Sequence, residues 1–152
     1  MIRFLLNPAG GGGRAVKAEA LLRRLAADLG AELRTSASAE DLVAQARQAA
    51  ADGVERLVVA GGDGRPNPAL QGLVGTRCAQ VPLPLGSGND FSFSLGLPGD
   101  VEGAVRAGVS RPLRTIDVGR VADRYFAAIA GVGFDSAANE TANRVKRFGG
   151  PW

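Results

Sequence analysis

At 152 residues, with 45% hydrophobic and 22% charged side chains, the chain is long enough for one packed core and too apolar to stay disordered. Eighteen basic against 15 acidic residues leave a formal charge of +3, a mild excess that suits phosphate or an anionic surface without demanding nucleic acid. A single cysteine excludes an internal disulfide, and a composition without histidine excludes a Ser-His-Asp triad, a histidine base and a histidine-ligated metal.

Residues 2–6 form a short apolar run halted at Asn7-Pro8, which predicts a buried strand. A flexible glycine turn follows at 10–13. Apolar residues then recur at Val16, Ala20, Leu21, Leu25 and Leu29, the spacing of a helix over 14–29, with Gly30 ending it. Residues 31–35 read as a second strand. Ser38 followed by Asp41 resembles a capping box and opens a helix that reaches about Asp52, closed by Gly53. The run RLVVA at 56–60 is a third strand, and it enters Gly61-Gly62-Asp63-Gly64. Residues 68–74 predict a short helix and 81–85 a fourth strand, followed by Gly86-Ser87-Gly88-Asn89-Asp90. Two further short helices are expected at 90–95 and 101–107, separated by Leu97-Pro98-Gly99.

Strands alternating with helices imply parallel strands joined by βαβ crossovers. The expected fold class is α/β, a three-layer arrangement with helices on both faces of a parallel sheet. Ligands of such sheets bind outside the carboxyl ends of the strands, and all three polar glycine clusters fall there. The pattern changes near residue 111. Residues 113–121 and 124–131 read as an antiparallel hairpin turning at Ala122-Asp123, and 136–147 as a polar helix. This divides the chain into an α/β unit over 1–110 and the start of a β-rich second domain over 111–152, whose remainder is expected beyond Trp152.

Each glycine cluster admits a chemical and a plain structural reading. In Gly61-Gly62-Asp63-Gly64 the glycines can aim successive amides into one concavity that holds an anion. Asp63 could then organise magnesium or accept a proton from an attacking hydroxyl; equally, it could cap the next helix. Gly86, Ser87, Gly88, Asn89 and Asp90 repeat the design, with Ser87 a donor to phosphate and Asn89 and Asp90 placed for a metal or ribose. A capped helix start explains the same residues. The third cluster, at 7–13, lacks the Gly-Lys-Ser/Thr ending of a P-loop. Gly10, Gly12 and Ala15 fit the spacing of a dinucleotide fingerprint, but Thr35 stands where the expected acid would end the second strand, so a hydride-transfer enzyme ranks well below a phosphotransferase.

Taken in order, NPAGGGG at 7–13, Thr35, GGDG at 61–64, Asn67, PLGSGNDF at 84–91, LGLP at 95–98, IDVG at 116–119 and GFD at 133–135 resemble the catalytic domain of diacylglycerol kinase-type lipid kinases, a group that includes sphingosine and ceramide kinases. GGDG alone is shared with NAD kinases and phosphofructokinases; its succession by PLGSGNDF and IDVG is far more specific. The resemblance implies a fold of the NAD kinase/diacylglycerol kinase kind, with an N-terminal α/β domain that binds ATP and magnesium and a C-terminal β-sandwich that carries a lipid pocket. It implies a binding site for ATP at Asn7, Thr35, Gly61, Gly62, Asp63, Gly64, Arg65, Asn67, Gly86, Ser87, Gly88 and Asn89. Asp63 would be the catalytic or metal-organising acid and Asp90 a second support for magnesium. The acceptor would be the hydroxyl of a diacylglycerol- or sphingoid-like lipid.

Three features depart from the family pattern. Arg65 stands where threonine is usual, Asn67-Pro68 where Asn-Glu is usual, and of the second domain the 152 residues are expected to hold only the start. The alternative is therefore a nucleotide-binding remnant or regulatory module without turnover. A kinase of soluble substrates is disfavoured by the PLGSGNDF segment. No apolar stretch reaches the length of a membrane span, and residues 1–6 are too short for a signal h-region. The expectation is a cytoplasmic protein that can touch a membrane surface transiently from outside. With aromatics at 5%, no nucleic-acid partner is expected, while a homodimer is admitted but not required. Cys78, with nothing nearby in sequence to lower its pKa, reads as a small core or loop residue rather than a nucleophile.

Overall fold

The computed structural model describes residues 1–8, 13–61, 68–86 and 88–127. The expected helix over 136–147 and the GFD motif at 133–135 lie outside them. Four strands, β1 (Ile2–Leu6), β2 (Glu32–Thr35), β3 (Arg56–Ala60) and β4 (Ala79–Pro82), form one parallel sheet in the order β2-β1-β3-β4. The helices between and after them are α1 (Arg14–Lys17), α2 (Glu19–Asp28), α3 (Ala39–Ala51), α4 (Pro68–Leu73), α5 (Asp90–Ser94) and α6 (Val101–Ser110). A separate antiparallel pair, β5 (Gly119–Val121) and β6 (Arg124–Phe126), follows.

The sheet is buried on both faces because its strands are apolar at successive positions, and the strand period of two sends alternate residues to opposite layers. Phe4, Leu6, Val58, Ala60, Val81 and Leu83 pack with Ala15, Leu22, Leu25, Ala104 and Val105, so α1, α2 and α6 cover one face. Leu5, Leu57 and Val59 pack with Leu42, Ala46, Ala49, Ala69 and Leu73, so α3 and α4 cover the other. This is the three-layer α/β arrangement expected from the sequence.

Arg3 is the charged exception on β1. It is only 7% exposed, and it reaches Glu32 at 3.1 Å and Asp52 at 2.8 Å, tying the edge strand and the end of α3 to the central strand. Hydrogen bonds from Gln48 and Arg3 hold the Asp52 carboxyl below its ordinary pKa. At the start of β3, Arg56 Nη1 donates to the carbonyls of Gly108 at 2.9 Å and Arg111 at 3.0 Å, satisfying the end of α6. α6 lies tight on the sheet at Gly108, where a Cβ would fall 2.2 Å from Val81 Cγ1.

Local signals in the sequence mostly acted as expected. Gly30 at φ 59 and Gly53 at φ 74 end α2 and α3 in the left-handed region. Ser38 caps α3 by accepting the Asp41 N–H, while the Asp41 carboxylate reaches back to the Ala37 N–H at 2.8 Å. Other segments differ. The helix expected over 14–29 is interrupted at Ala18, although bonds from Ala18 N–H to the Arg14 carbonyl and from Leu22 N–H to the Ala18 carbonyl carry its axis through. The fourth strand begins earlier than the apolar run, at Ala79, where pairing with Arg56 starts. It ends at Pro82: the Leu83 N–H still donates to the Val59 carbonyl at 3.0 Å, but the Leu85 N–H turns back onto the Leu83 carbonyl at 2.9 Å, so Leu83 and Leu85 are buried as loop rather than strand. The hairpin turns where expected, but its strands are short. Residues 113–118 belong to no strand, and Leu113 and Ile116 are exposed.

Candidate functional site

Parallel strands put every strand exit on one rim, and the described flanks of the glycine clusters meet there. The Asn7 N–H donates to the Ala60 carbonyl at 2.8 Å, locking the exit of β1 against that of β3. Gly61 follows at once, and a side chain there would begin 3.5 Å from the Asn7 Cβ. Thr35 pairs with Leu6 in register and is exposed at the exit of β2. Asn7, Thr35 and Gly61 are thus brought together by register alone. Gly62, Asp63, Gly64, Arg65, Asn67 and Ser87 lie outside the described residues, as do Gly10, Gly11 and Gly12.

The loop after β4 is built around Asn89. Its backbone sits in the left-handed region at φ 60, and its side chain makes no cap bond to α5. Instead its Oδ1 accepts the Gly86 N–H at 2.7 Å, folding the loop back on itself. This is the local hydrogen bonding that lets asparagine occupy a backbone region most side chains avoid. Gly88 is exposed beside it, and Asp90 is exposed as the first residue of α5. Ser92 anchors α5 beneath, its buried hydroxyl donating to the Pro82 carbonyl at 3.0 Å. Among the described residues, no group of three or more His, Cys, Asp or Glu is placed to hold a metal.

Two residues of this rim carry no motif signal. Arg14 follows Gly13, itself at φ 87, and its guanidinium donates to the Gly86 carbonyl. It therefore bridges the end of the first glycine turn to the loop after β4, across the sheet's edge. Ser36 is 2% exposed, and both its N–H, at 2.8 Å, and its hydroxyl, at 3.3 Å, donate to the Leu6 carbonyl. A long-range arginine contact cannot be read from spacing; a serine just past a strand end gives only a generic turn signal. Pro68, the departure from the usual Asn-Glu, is the first residue of α4, where proline's fixed φ fits and its missing N–H leaves no helix bond unmade.

Elsewhere a cleft of about 290 Å³ opens between α3, α4 and the hairpin turn. Cys78 is buried beneath α4, and burial pushes its thiol up to about 11, the opposite of what a nucleophile needs. Among the described residues no helix is long and apolar enough to cross a membrane.

Residues 1–121 match the family described as the diacylglycerol kinase catalytic domain, and the chain belongs to that family. Among curated relatives, a Chromohalobacter salexigens protein named "Probable lipid kinase YegS-like" is 41% identical over 113 residues, covering 71% of this chain and 36% of the relative. A Mycobacterium tuberculosis diacylglycerol kinase is 36% identical over 155 aligned residues, covering 95% of this chain and 50% of its own length. The chain spans about half the length of such relatives, or less. A crystal structure of a diacylglycerol kinase from Bacillus anthracis superposes with a TM-score of 0.69 over 82% of this chain and 45% of that one; at 24% identity it speaks for the fold alone.

Proposed function

We propose that this chain carries the ATP-binding unit of a lipid kinase, which transfers the γ-phosphoryl group of ATP to the hydroxyl of a diacylglycerol- or sphingoid-like lipid. The observation that carries the reading is the convergence of Asn7, Thr35, Gly61 and the Gly86–Asn89 loop on one sheet rim, in a chain of the diacylglycerol kinase catalytic domain family. Phosphoryl transfer needs little covalent help from protein and much positioning and charge stabilisation, which backbone amides at such a rim supply. The rim suits an anion in two described respects: Gly61 presents no side chain beside Asn7, and the exposed Arg14 brings a guanidinium to the same edge. ATP would supply the phosphoryl group, and magnesium would neutralise its charge.

In this reading, residues 1–110 form the nucleotide unit and 111–152 open the unit that holds the lipid. Asn7, Thr35, Gly61, Gly62, Gly64, Arg65, Asn67 and Ser87 would contact ATP. Asp63 would take the proton of the acceptor hydroxyl or organise magnesium, with Asp90 as a second support. A lipid acceptor places the protein at a membrane surface from the cytoplasmic side during turnover. Asp63→Asn should abolish transfer of labelled phosphate to diacylglycerol or sphingosine in any active form while leaving the unfolding midpoint unchanged. Undiminished turnover would remove Asp63 from the chemistry. ATP binding with no transfer to any lipid alcohol would favour the second reading, a nucleotide-binding module without turnover, to which Arg65 and Pro68 lend support.

A further inference from the structure

Gln71, one turn into α4, holds the hairpin through a contact that no motif marks. Its Nε2 donates to the Tyr125 carbonyl at 2.7 Å, and its Oε1 accepts the Tyr125 N–H at 3.0 Å. A carboxamide set this way imitates a peptide group, so β6 gains from one side chain the two bonds a neighbouring strand residue would give it. Among the described residues, these are the hydrogen bonds that join 112–127 to the α/β unit. Strands of three residues are marginal by themselves, so such an attachment matters.

The helix that carries Gln71 packs closely on α3. Gly72 lies so close to α3 that a Cβ there would meet the Val43 carbonyl oxygen at 2.7 Å and the Ala46 Cβ at 2.9 Å. A cleft of about 290 Å³ lies at this junction, lined by Glu40, Arg47, Pro68, Gln71, Arg124 and Tyr125 among others. In sequence, α4 follows directly on the segment that leaves β3 at Gly61 and contains Asp63.

We propose that Gln71 is a positioning residue, which fixes the hairpin, and with it the second unit, against the helix that follows the Asp63 segment. Its consequence for phosphoryl transfer rests on the kinase reading; the pairing itself does not. Hydrogen exchange at the Tyr125 amide of the 152-residue chain reads the pairing directly. Gln71→Ala should lower Tyr125 protection about tenfold, the equivalent of roughly one or two lost hydrogen bonds. Amides of the central strands, such as Phe4 and Val58, should keep theirs, which separates undocking from unfolding.

Gln71→Glu gives a sharper arm. The ionised carboxylate can accept the Tyr125 N–H but cannot donate to the carbonyl, whereas the protonated acid does both. Tyr125 protection, taken relative to the unsubstituted chain at the same pH, should be low near neutrality and recover several-fold as pH falls through the introduced carboxyl's range, about 4–5. A side chain that merely fills space would give no such profile. Equal protection with and without Gln71, or loss in Gln71→Glu with no recovery in acid, overturns the assignment. Undiminished turnover in Asp63→Asn beside the expected Gln71 behaviour would sink the kinase reading and leave the pairing standing.

Discussion

Replacing Asn89 with alanine tests whether the loop after β4 is held by its asparagine or merely contains it. Two contributions disappear together. The buried Gly86 loses the acceptor at 2.7 Å, and an unsatisfied buried donor costs about 1–2 kcal/mol. A Cβ-bearing residue without asparagine's local bonding then has to remain near φ 60, which costs about 1 kcal/mol more. The expected loss for Asn89→Ala is therefore about 2–3 kcal/mol, for Asn89→Gly about 1–2, and for Asn89→Asp, which keeps an acceptor, under about 0.5. Urea unfolding followed by circular dichroism measures the global part, and exchange at the Gly86 amide reports whether the loop opens alone. An Asn89→Ala chain within about 0.5 kcal/mol of the parent, with Gly86 still protected, would refute this reasoning.

Gly108→Ala should cost about 1–3 kcal/mol, because its Cβ would fall 2.2 Å from Val81 Cγ1 and α6 or Val81 must move. Adding Val81→Ala should recover part of that loss in a urea titration, and full additivity would argue against the contact. Cys78 carries a pH signature. Its thiol is raised by burial from 9.0 to about 11, so the folded chain holds the proton more tightly than the unfolded chain does. The stability linked to that proton is fully present below about pH 9 and is lost as pH rises through 11, on the order of 2 kcal/mol in all. Cys78→Ala should flatten that alkaline limb relative to the parent, and Cys78 should resist alkylation at neutral pH; rapid modification of the folded chain would contradict its burial.

The fold was legible because the central strands are continuous apolar runs and α2 and α3 each end at a glycine. Leu5, Leu57 and Val59 face one layer while Phe4, Val58 and Ala60 face the other, and Gly30 and Gly53 end α2 and α3 as their positions suggest. What hydrophobicity could not settle was pairing. Leu83 and Leu85 are as buried as strand residues, and Leu83 still bonds Val59, yet the Leu85 N–H turns back onto the Leu83 carbonyl instead of the neighbouring strand, so β4 stops short. The rim was legible as a place, since parallel strands fix which ends converge. The contacts that organise it were not. Arg14 reaches Gly86 across 72 positions and Gln71 reaches Tyr125 across 54, and such separations leave no trace in periodicity. Asn89 was noticed for its type, but its bond to Gly86 rather than to a helix end or a ligand depends on a backbone angle that sequence only suggests.

Whether the glycine turns act as one anion cradle is most directly tested by amide chemical shifts recorded while ATP with magnesium is titrated into the chain. Asn7, Thr35, Gly61 and Gly86 should move together with a single dissociation constant, while Ile2, Glu32, Arg56 and Ala79 at the opposite strand ends stay still. Shifts confined to the opposite ends, or to one turn alone, would contradict a site shared by the whole rim.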